Sequence, residues 1–248
     1  MWPFPFASGV SAALCLLAGL ILALLGSGLA LCKPNVDRTV RLPRSLRMTL
    51  SALLVVGAAV AWLLGARGTP AGLYALFILL GMFAGFVGDL IMARLIPVPG
   101  RLICGMATFG AGHLWYSAAF ALLVVQLGLR WVPVHLLFTV SLLLFNGWVW
   151  WNHIRKPGGS RAVNLGSLLY AIVITVMTAL ALSLAVQNRH LVGLGCGALL
   201  FLASDLMLGN WQVRGHVWSS VNDAIWTTYV LGQLLIVYSI AGALNILR

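Results

Sequence analysis

The sequence predicts an all-α integral membrane protein, a single bundle of eight transmembrane helices. Three observations carry that prediction. Of 248 residues, 62% are hydrophobic and only 8% are charged, far from the composition of a water-soluble domain. The apolar residues fall in uninterrupted runs of roughly 18–25, the length that crosses a bilayer core as a helix. These runs do not alternate apolar and polar at every second residue, as the strands of a transmembrane barrel would. A lipid-exposed backbone then has only the helix with which to satisfy its own hydrogen bonds.

Taken in order, the first span is Val10–Leu31. The preceding Met1-Trp-Pro-Phe-Pro-Phe6 lacks the basic region of a cleaved leader. In the lipoprotein-like Leu29-Ala-Leu-Cys32, Leu31 is too bulky where a small residue is wanted, so this span is expected to be retained. Ser45–Leu64 follows a basic loop. Ala71–Leu95 begins after Gly68-Thr-Pro70 and carries Gly81 and Gly85, a small-xxx-small spacing that lets helices approach closely. Leu102–Val125 starts after Pro97-Val-Pro-Gly100. Val132–Trp151 is bracketed by Trp131 and by Trp148, Trp150 and Trp151, an interfacial aromatic belt. Leu165–Val186 follows Pro157-Gly-Gly159; Leu191–Leu208 repeats the small spacing at Gly193 and Gly197; Val221–Ile246 is the last span. The connections are too short to hide a soluble domain, so residues 1–248 read as one transmembrane domain. Cysteines 15, 32, 104 and 196 have no paired spacing, which argues against a disulfide framework or a zinc knuckle.

The formal net charge is +11, but the basic residues sit in short loops rather than on one face, so the charge serves topology and anionic lipid heads, not nucleic acid. Loops after spans one, three, five and seven hold eleven Lys or Arg (Lys33, Arg38, Arg41, Arg44, Arg47, Arg94, Arg101, Arg155, Lys156, Arg161, Arg214); the opposite side holds four, Arg67, Arg130, Arg189 and Arg248. The positive-inside rule places the odd-numbered loops in the cytoplasm and both termini outside. In a bacterium the host would be the inner membrane.

The chemistry concentrates in four acidic residues. Asp37 lies among basic loop residues and is expected to form an ion pair there. Asp223 opens the last span, where a carboxylate can cap a helix as readily as it can reach a site near the mouth of that span. Asp89 and Asp205 lie inside apolar runs, in Gly88-Asp89-Leu and Ser204-Asp205-Leu, and an intramembrane carboxylate is a candidate functional residue by default. Both occur late in inward-running spans, so they belong to the cytoplasmic half. His113 with Tyr116 one turn on, and Tyr229 with Gln233 one turn on, fall at compatible depth. Each acid is followed 24 residues later by one of these groups (His113, Tyr229); this echo raises an arrangement of two parallel four-helix repeats. His135, His153, His190 and His216 sit at span ends or in loops, where solvated roles are the default.

Two carboxylates in a water-poor site can share one proton, giving an acid beside an anion at neutral pH. With one His well inside a span and no His-xxx-His pair, a hydrolytic zinc site is disfavoured. A Ser–His–Asp triad using Ser117 or Ser204 lacks a nucleophile-elbow pattern. No Lys lies within a span, which excludes a retinal-type pigment.

The ordered segments Gly88-Asp89, Phe109-Gly-Ala-Gly-His113-Leu-Trp-Tyr116, Gly197-Ala-Leu-Leu-Phe201-Leu-Ala-Ser204-Asp205-Leu-Met-Leu208 and Tyr229-Val-Leu-Gly-Gln233 resemble the YhhN family of eight-span proteins, which includes the animal lysoplasmalogenases. The resemblance covers roughly residues 81–238. It implies hydrolysis of the vinyl ether bond of a lysophospholipid. Asp89 and Asp205 would be catalytic, and His113, Tyr116, Ser204, Tyr229 and Gln233 would bind or orient substrate. Neither a metal nor an organic cofactor is required. The competing expectations are hydrolysis of another lysolipid, a proton-coupled transporter of lipid or small solute, and a scaffold whose acids only lock helices.

Overall fold

A computed structural model describes residues 6–129 and 132–247. It contains eight membrane-length helices: α1 (Ser8–Leu31), α2 (Arg44–Val60), α3 (Gly72–Met92), α4 (Arg101–Gln126), α5 (Val132–Val149), α6 (Arg161–Gln187), α7 (Val192–Gly209) and α8 (Val221–Leu247). No strand occurs among the described residues. Arg130, Trp131 and Arg248, used above for topology and the aromatic belt, lie outside them.

Three helices run on past their regular ends as wider π turns: α2 through Ala61–Ala66, α5 through Trp150–Ile154 and α7 through Asn210–Arg214. The last extension carries α7 beyond the expected end at Leu208 and makes Trp211 and Gln212 helical. Span three, in contrast, stops at Met92 rather than Leu95, because Arg94 turns into the left-handed region (φ 62°). The sixth helix begins four residues before the expected Leu165, where the Ser160 side chain accepts a hydrogen bond from the Val163 amide.

Helix packing closes a ring in the order α2, α3, α4, α6, α7, α8, with α8 also reaching α3. Helix α1 lies outside this ring against α2, and α5 lies outside against α6. The two outer helices and the outward faces of the ring carry Leu16, Leu136, Leu144, Phe145 and Leu165 in the open, as helices bathed in lipid do.

Lipid supplies no hydrophobic drive between helices, so close packing and hydrogen bonds must hold them. Helices α7 and α8 meet backbone to backbone at Gly197 and Gly232: a Cβ on either would come within 2.8 Å of the other's carbonyl oxygen. Gly193, the other half of that spacing, has nothing closer than 3.9 Å and is open. Helices α3 and α4 meet where the Tyr116 ring lies against Gly81, and a Cβ on Gly112 would meet the Gly81 carbonyl at 2.9 Å. Buried hydroxyls and amides bridge the remaining seams: Tyr74 with Ser239 (2.6 Å), Asn146 to Thr175 (2.6 Å), Trp150 Nε1 to Ser167 (2.9 Å) and Tyr238 to the Leu14 carbonyl. Trp148 and Trp151 remain exposed, and Arg155 lies 4.2 Å from the Trp151 ring centroid.

The α1–α2 connection is tied to the start of α8. Asp223 Oδ1 accepts the amides of Arg41 (2.8 Å) and Leu42 (3.2 Å), and the Ser220 and Asn222 amides donate to the carbonyls of Arg38 and Thr39. Asp223, in the first turn of α8, therefore clamps the loop to the start of that helix. The exposed Asp37 makes no ion pair among the described residues, contrary to the expectation from its basic neighbours.

Candidate active site

Asp89 lies in the last turn of α3 and Asp205 in the last turn and a half of α7. The ring of helices brings both to the end of the bundle that carries the basic loops. Gly88 lets α3 approach α4 here, since a Cβ on it would lie 2.8 Å from the Phe109 ring. The two carboxylates line one cavity of about 260 Å³, far more than the ~10–15 Å³ that admits a single water.

The acids have matched surroundings. Asp89 Oδ2 accepts hydrogen bonds from Ser51 of α2 (2.6 Å) and Tyr229 of α8 (2.8 Å). Asp205 Oδ2 accepts one from Tyr170 of α6 (2.5 Å) and stands 3.3 Å from His113 Nε2 of α4. His113 Nε2 also lies 2.8 Å from the Tyr170 oxygen. If the Tyr170 hydroxyl donates to Asp205, its oxygen accepts from His113, which puts the proton of a neutral His113 on Nε2. Nδ1 of the same ring is buried without a partner. The partners cross between the halves of the chain: His113 follows Asp89 in sequence but serves Asp205, and Tyr229 follows Asp205 but serves Asp89. The crossing does not by itself establish the two-repeat arrangement raised above.

Of the residues singled out from sequence, Asp89, Asp205, Ser204 and Tyr229 line the cavity. His113 stands behind Asp205. Ser204 turns its hydroxyl to the Ile225 carbonyl (3.1 Å), and Ser117 donates to the His113 carbonyl (2.8 Å), so neither serine faces the imidazole as a triad nucleophile would. Tyr116 and Gln233 pair with each other (2.7 Å) deeper in the bundle. Gln233 Nε2 and the Tyr229 hydroxyl both lie within 4 Å of where a Gly85 Cβ would be. No group of three His, Cys, Asp or Glu side chains suited to a metal forms among the described residues.

An aromatic wall separates the acids from the core. The Phe201 ring stands 4.8 Å from His113 and 5.4 Å from Tyr229, and Trp226 packs 5.3 Å from Tyr229. On the loop side, the lining changes to Arg44, Arg47, Arg94 and Arg101. A second, narrower cleft between α4, α6 and α7 is lined by Leu102, Met106, Ala171, Ile174 and Leu206 and reaches Asp205 from the side. Phe109, Met92, Leu208 and Gln212 border both spaces.

Ser51, Tyr170 and the arginines were missed in the sequence reading. A signal for Tyr170 existed: a phenol inside an apolar run must find a polar partner, and all five tyrosines of the chain lie within spans.

No curated protein and no solved structure compared with the chain gives a significant match. The family model of the YhhN family matches residues 44–240, a stretch that begins at the first residue of α2 and contains every side chain of the site. The chain belongs to the YhhN family.

Proposed function

We propose that the protein is a membrane-embedded hydrolase that cleaves the vinyl ether bond of lysoplasmalogens, releasing a fatty aldehyde and a glycerophospho-alcohol. The observation that carries this reading is the pair of carboxylates, held on separate helices by separate donors and facing one cavity that admits water. Family membership and the resemblance noted above support the same reaction.

One Asp, protonated, delivers its proton to the alkenyl β-carbon, converting C=C–O into an oxocarbenium ion, C–C=O⁺. The second Asp, ionised, lies against the cation and takes a proton from the water that adds to the α-carbon, giving a hemiacetal. The second Asp, now protonated, gives its proton to the glycerol oxygen as the hemiacetal C–O bond breaks, and the first, now ionised, takes the hydroxyl proton, leaving an aldehyde and an alcohol. The net change is addition of one water. Acid and base exchange one proton over the cycle, so the pair returns to its starting state, and each proton transfer is the kind a positioned side chain accelerates by about 10²–10⁴-fold.

Ser51 and Tyr229 orient one acid; Tyr170 and His113 orient the other. The apolar cleft beside Asp205 accommodates the hydrocarbon chain, and the cavity holds the glycerol end. In this reading the cavity mouth faces the cytoplasm and both termini lie on the far side, following the basic loops.

The test is mass spectrometry of the purified protein incubated with vinyl ether, ester and alkyl ether lysolipids of equal chain length. The expected result is aldehyde and glycerophospho-alcohol from the vinyl ether lipid alone. Fatty acid from the ester lipid with no aldehyde would replace this reading by another lysolipid hydrolase. Proton-coupled uptake by proteoliposomes without any product would replace it by transport.

A further inference from the structure

We propose that the arginine-lined mouth of the cavity is a phosphate subsite, with Arg47 at its centre, that holds the headgroup phosphate of a single-chain phospholipid. The proposal rests on the hydrolase reading for its choice of lipid, but its own observations are electrostatic and geometric.

Arg44, Arg47, Arg94 and Arg101 share one cavity wall, and none has a carboxylate at ion-pair distance among the described residues. Arg47 is the most committed of the four. Its guanidinium lies 5.5 Å from the Trp226 ring centroid, its Nη1 donates to Asn222 Oδ1 (3.3 Å), and its Nε is buried without a partner. Arg44 and Arg101 each spend one Nη1 on a carbonyl at the end of α3, Ala93 (3.4 Å) and Met92 (3.2 Å). These bonds fix the forks in place and leave further N–H donors for a ligand.

Formal charges around this wall are four positive against three carboxylates: the two deeper in, which already accept hydrogen bonds from Ser51, Tyr229 and Tyr170, and Asp223 at the start of α8, whose Oδ1 holds the Arg41 and Leu42 amides. A partly buried guanidinium with an orphaned donor is costly unless an anion reaches it. A phosphate diester supplies one charge and oxygens that match the guanidinium fork. The arrangement along the cavity fits one molecule: arginines at the mouth, the acids next, and the apolar cleft beyond Asp205. A lysolipid has its phosphate, its scissile ether and its hydrocarbon chain in that same order.

The experiment uses the full chain in detergent. Binding of two non-hydrolysable probes, 1-alkyl-glycerophosphoethanolamine and 1-alkyl-glycerol, is followed by tryptophan fluorescence, and turnover by the KM for the corresponding 1-alkenyl lipids. The parent protein should bind the phosphate-bearing probe at least about 10-fold more tightly, the scale of a hydrogen bond to a charged group. Arg47→Gln should collapse that preference by about the same factor, and Arg47→Lys should recover part of it. Binding of the alkyl-glycerol probe reports whether each variant is folded. Inorganic phosphate should displace the phospho-probe only at millimolar concentration. Equal affinity of the parent for both probes, or an Arg47→Gln variant that binds the alkyl-glycerol probe like the parent and keeps the full preference for the phosphate-bearing one, would overturn the subsite. Tight binding of free phosphate with no lipid preference would also overturn it, as a site for the ion rather than the headgroup. Arg47-dependent binding with no turnover of either alkenyl lipid would refute the hydrolase and leave the subsite standing; turnover of both at one KM would do the reverse.

Discussion

Replacing Tyr170 by Phe removes one oxygen from the site and nothing else. That oxygen donates to Asp205 at 2.5 Å and lies 2.8 Å from His113 Nε2. A hydrogen bond to a charged group is worth roughly 1.5–3 kcal/mol, and about 1.4 kcal/mol corresponds to tenfold in rate. The bare loss is then about 10- to 100-fold in kcat/KM. His113 Nε2 stands only 3.3 Å from the same carboxylate oxygen and can close on it once the hydroxyl is gone, so the observed loss should fall near the lower end, about tenfold. The ring remains packed edge-on against His113, with centroids 5.2 Å apart, so the stability loss should be confined to the lost hydrogen bond, about 1–3 kcal/mol. The assay is aldehyde release from a vinyl ether lysolipid in detergent, with thermal unfolding run on the same sample. A rate within twofold of the parent would show that the Tyr170 hydroxyl does not set the state of Asp205. A loss as large as that of removing the carboxylate itself would show that His113 does not share the load. Either outcome refutes the donor arrangement argued here.

Three further outcomes follow from the fold and the charge pattern. Gly197→Ala should destabilise the detergent-solubilised protein by about 1–3 kcal/mol, the scale of an overpacked contact, because its Cβ would meet the Gly232 carbonyl at 2.8 Å; Gly193→Ala, with nothing nearer than 3.9 Å, should melt with the parent. Reporter fusions at Pro157 and at Arg248 should report opposite compartments, cytoplasmic at Pro157, and the same compartment at both would overturn the eight-span orientation. Activity should survive exhaustive chelation, with no stoichiometric metal by elemental analysis; one tightly bound zinc per chain would move His113 and the two acids into ligand roles.

The eight spans were legible because each is a long apolar run closed by Gly, Pro or basic residues, and bilayer thickness converts that directly into helices. Helix ends were less so: Asn210–Arg214 is polar and reads as loop, yet its backbone continues α7 in wider turns. Asp89 and Asp205 stood out because a carboxylate in lipid is costly. Their pairing was not legible. Sequence order links Asp89 to His113 and Asp205 to Tyr229, whereas the ring of helices exchanges these partners. Ser51 escaped notice because a single hydroxyl in an apolar helix can bond its own backbone, as Ser117 and Thr175 do here. Arg47 was counted as a loop charge. Helix α2 in fact begins at Arg44, which makes Arg47 helical and places it on the cavity wall.

The acid pair itself is tested most directly by vinyl ether lysolipid turnover in Asp89→Asn, Asp205→Asn and the double variant, each shown to be folded. Asn keeps the shape of the side chain but can neither deliver an acidic proton nor carry the anion. Each single change should lower turnover by about 10²-fold or more, and the double change should cost far less than the product of the two, because both disable one machine. Turnover near the parental rate in either single variant would make that Asp a helix-locking residue and contradict the two-carboxylate mechanism.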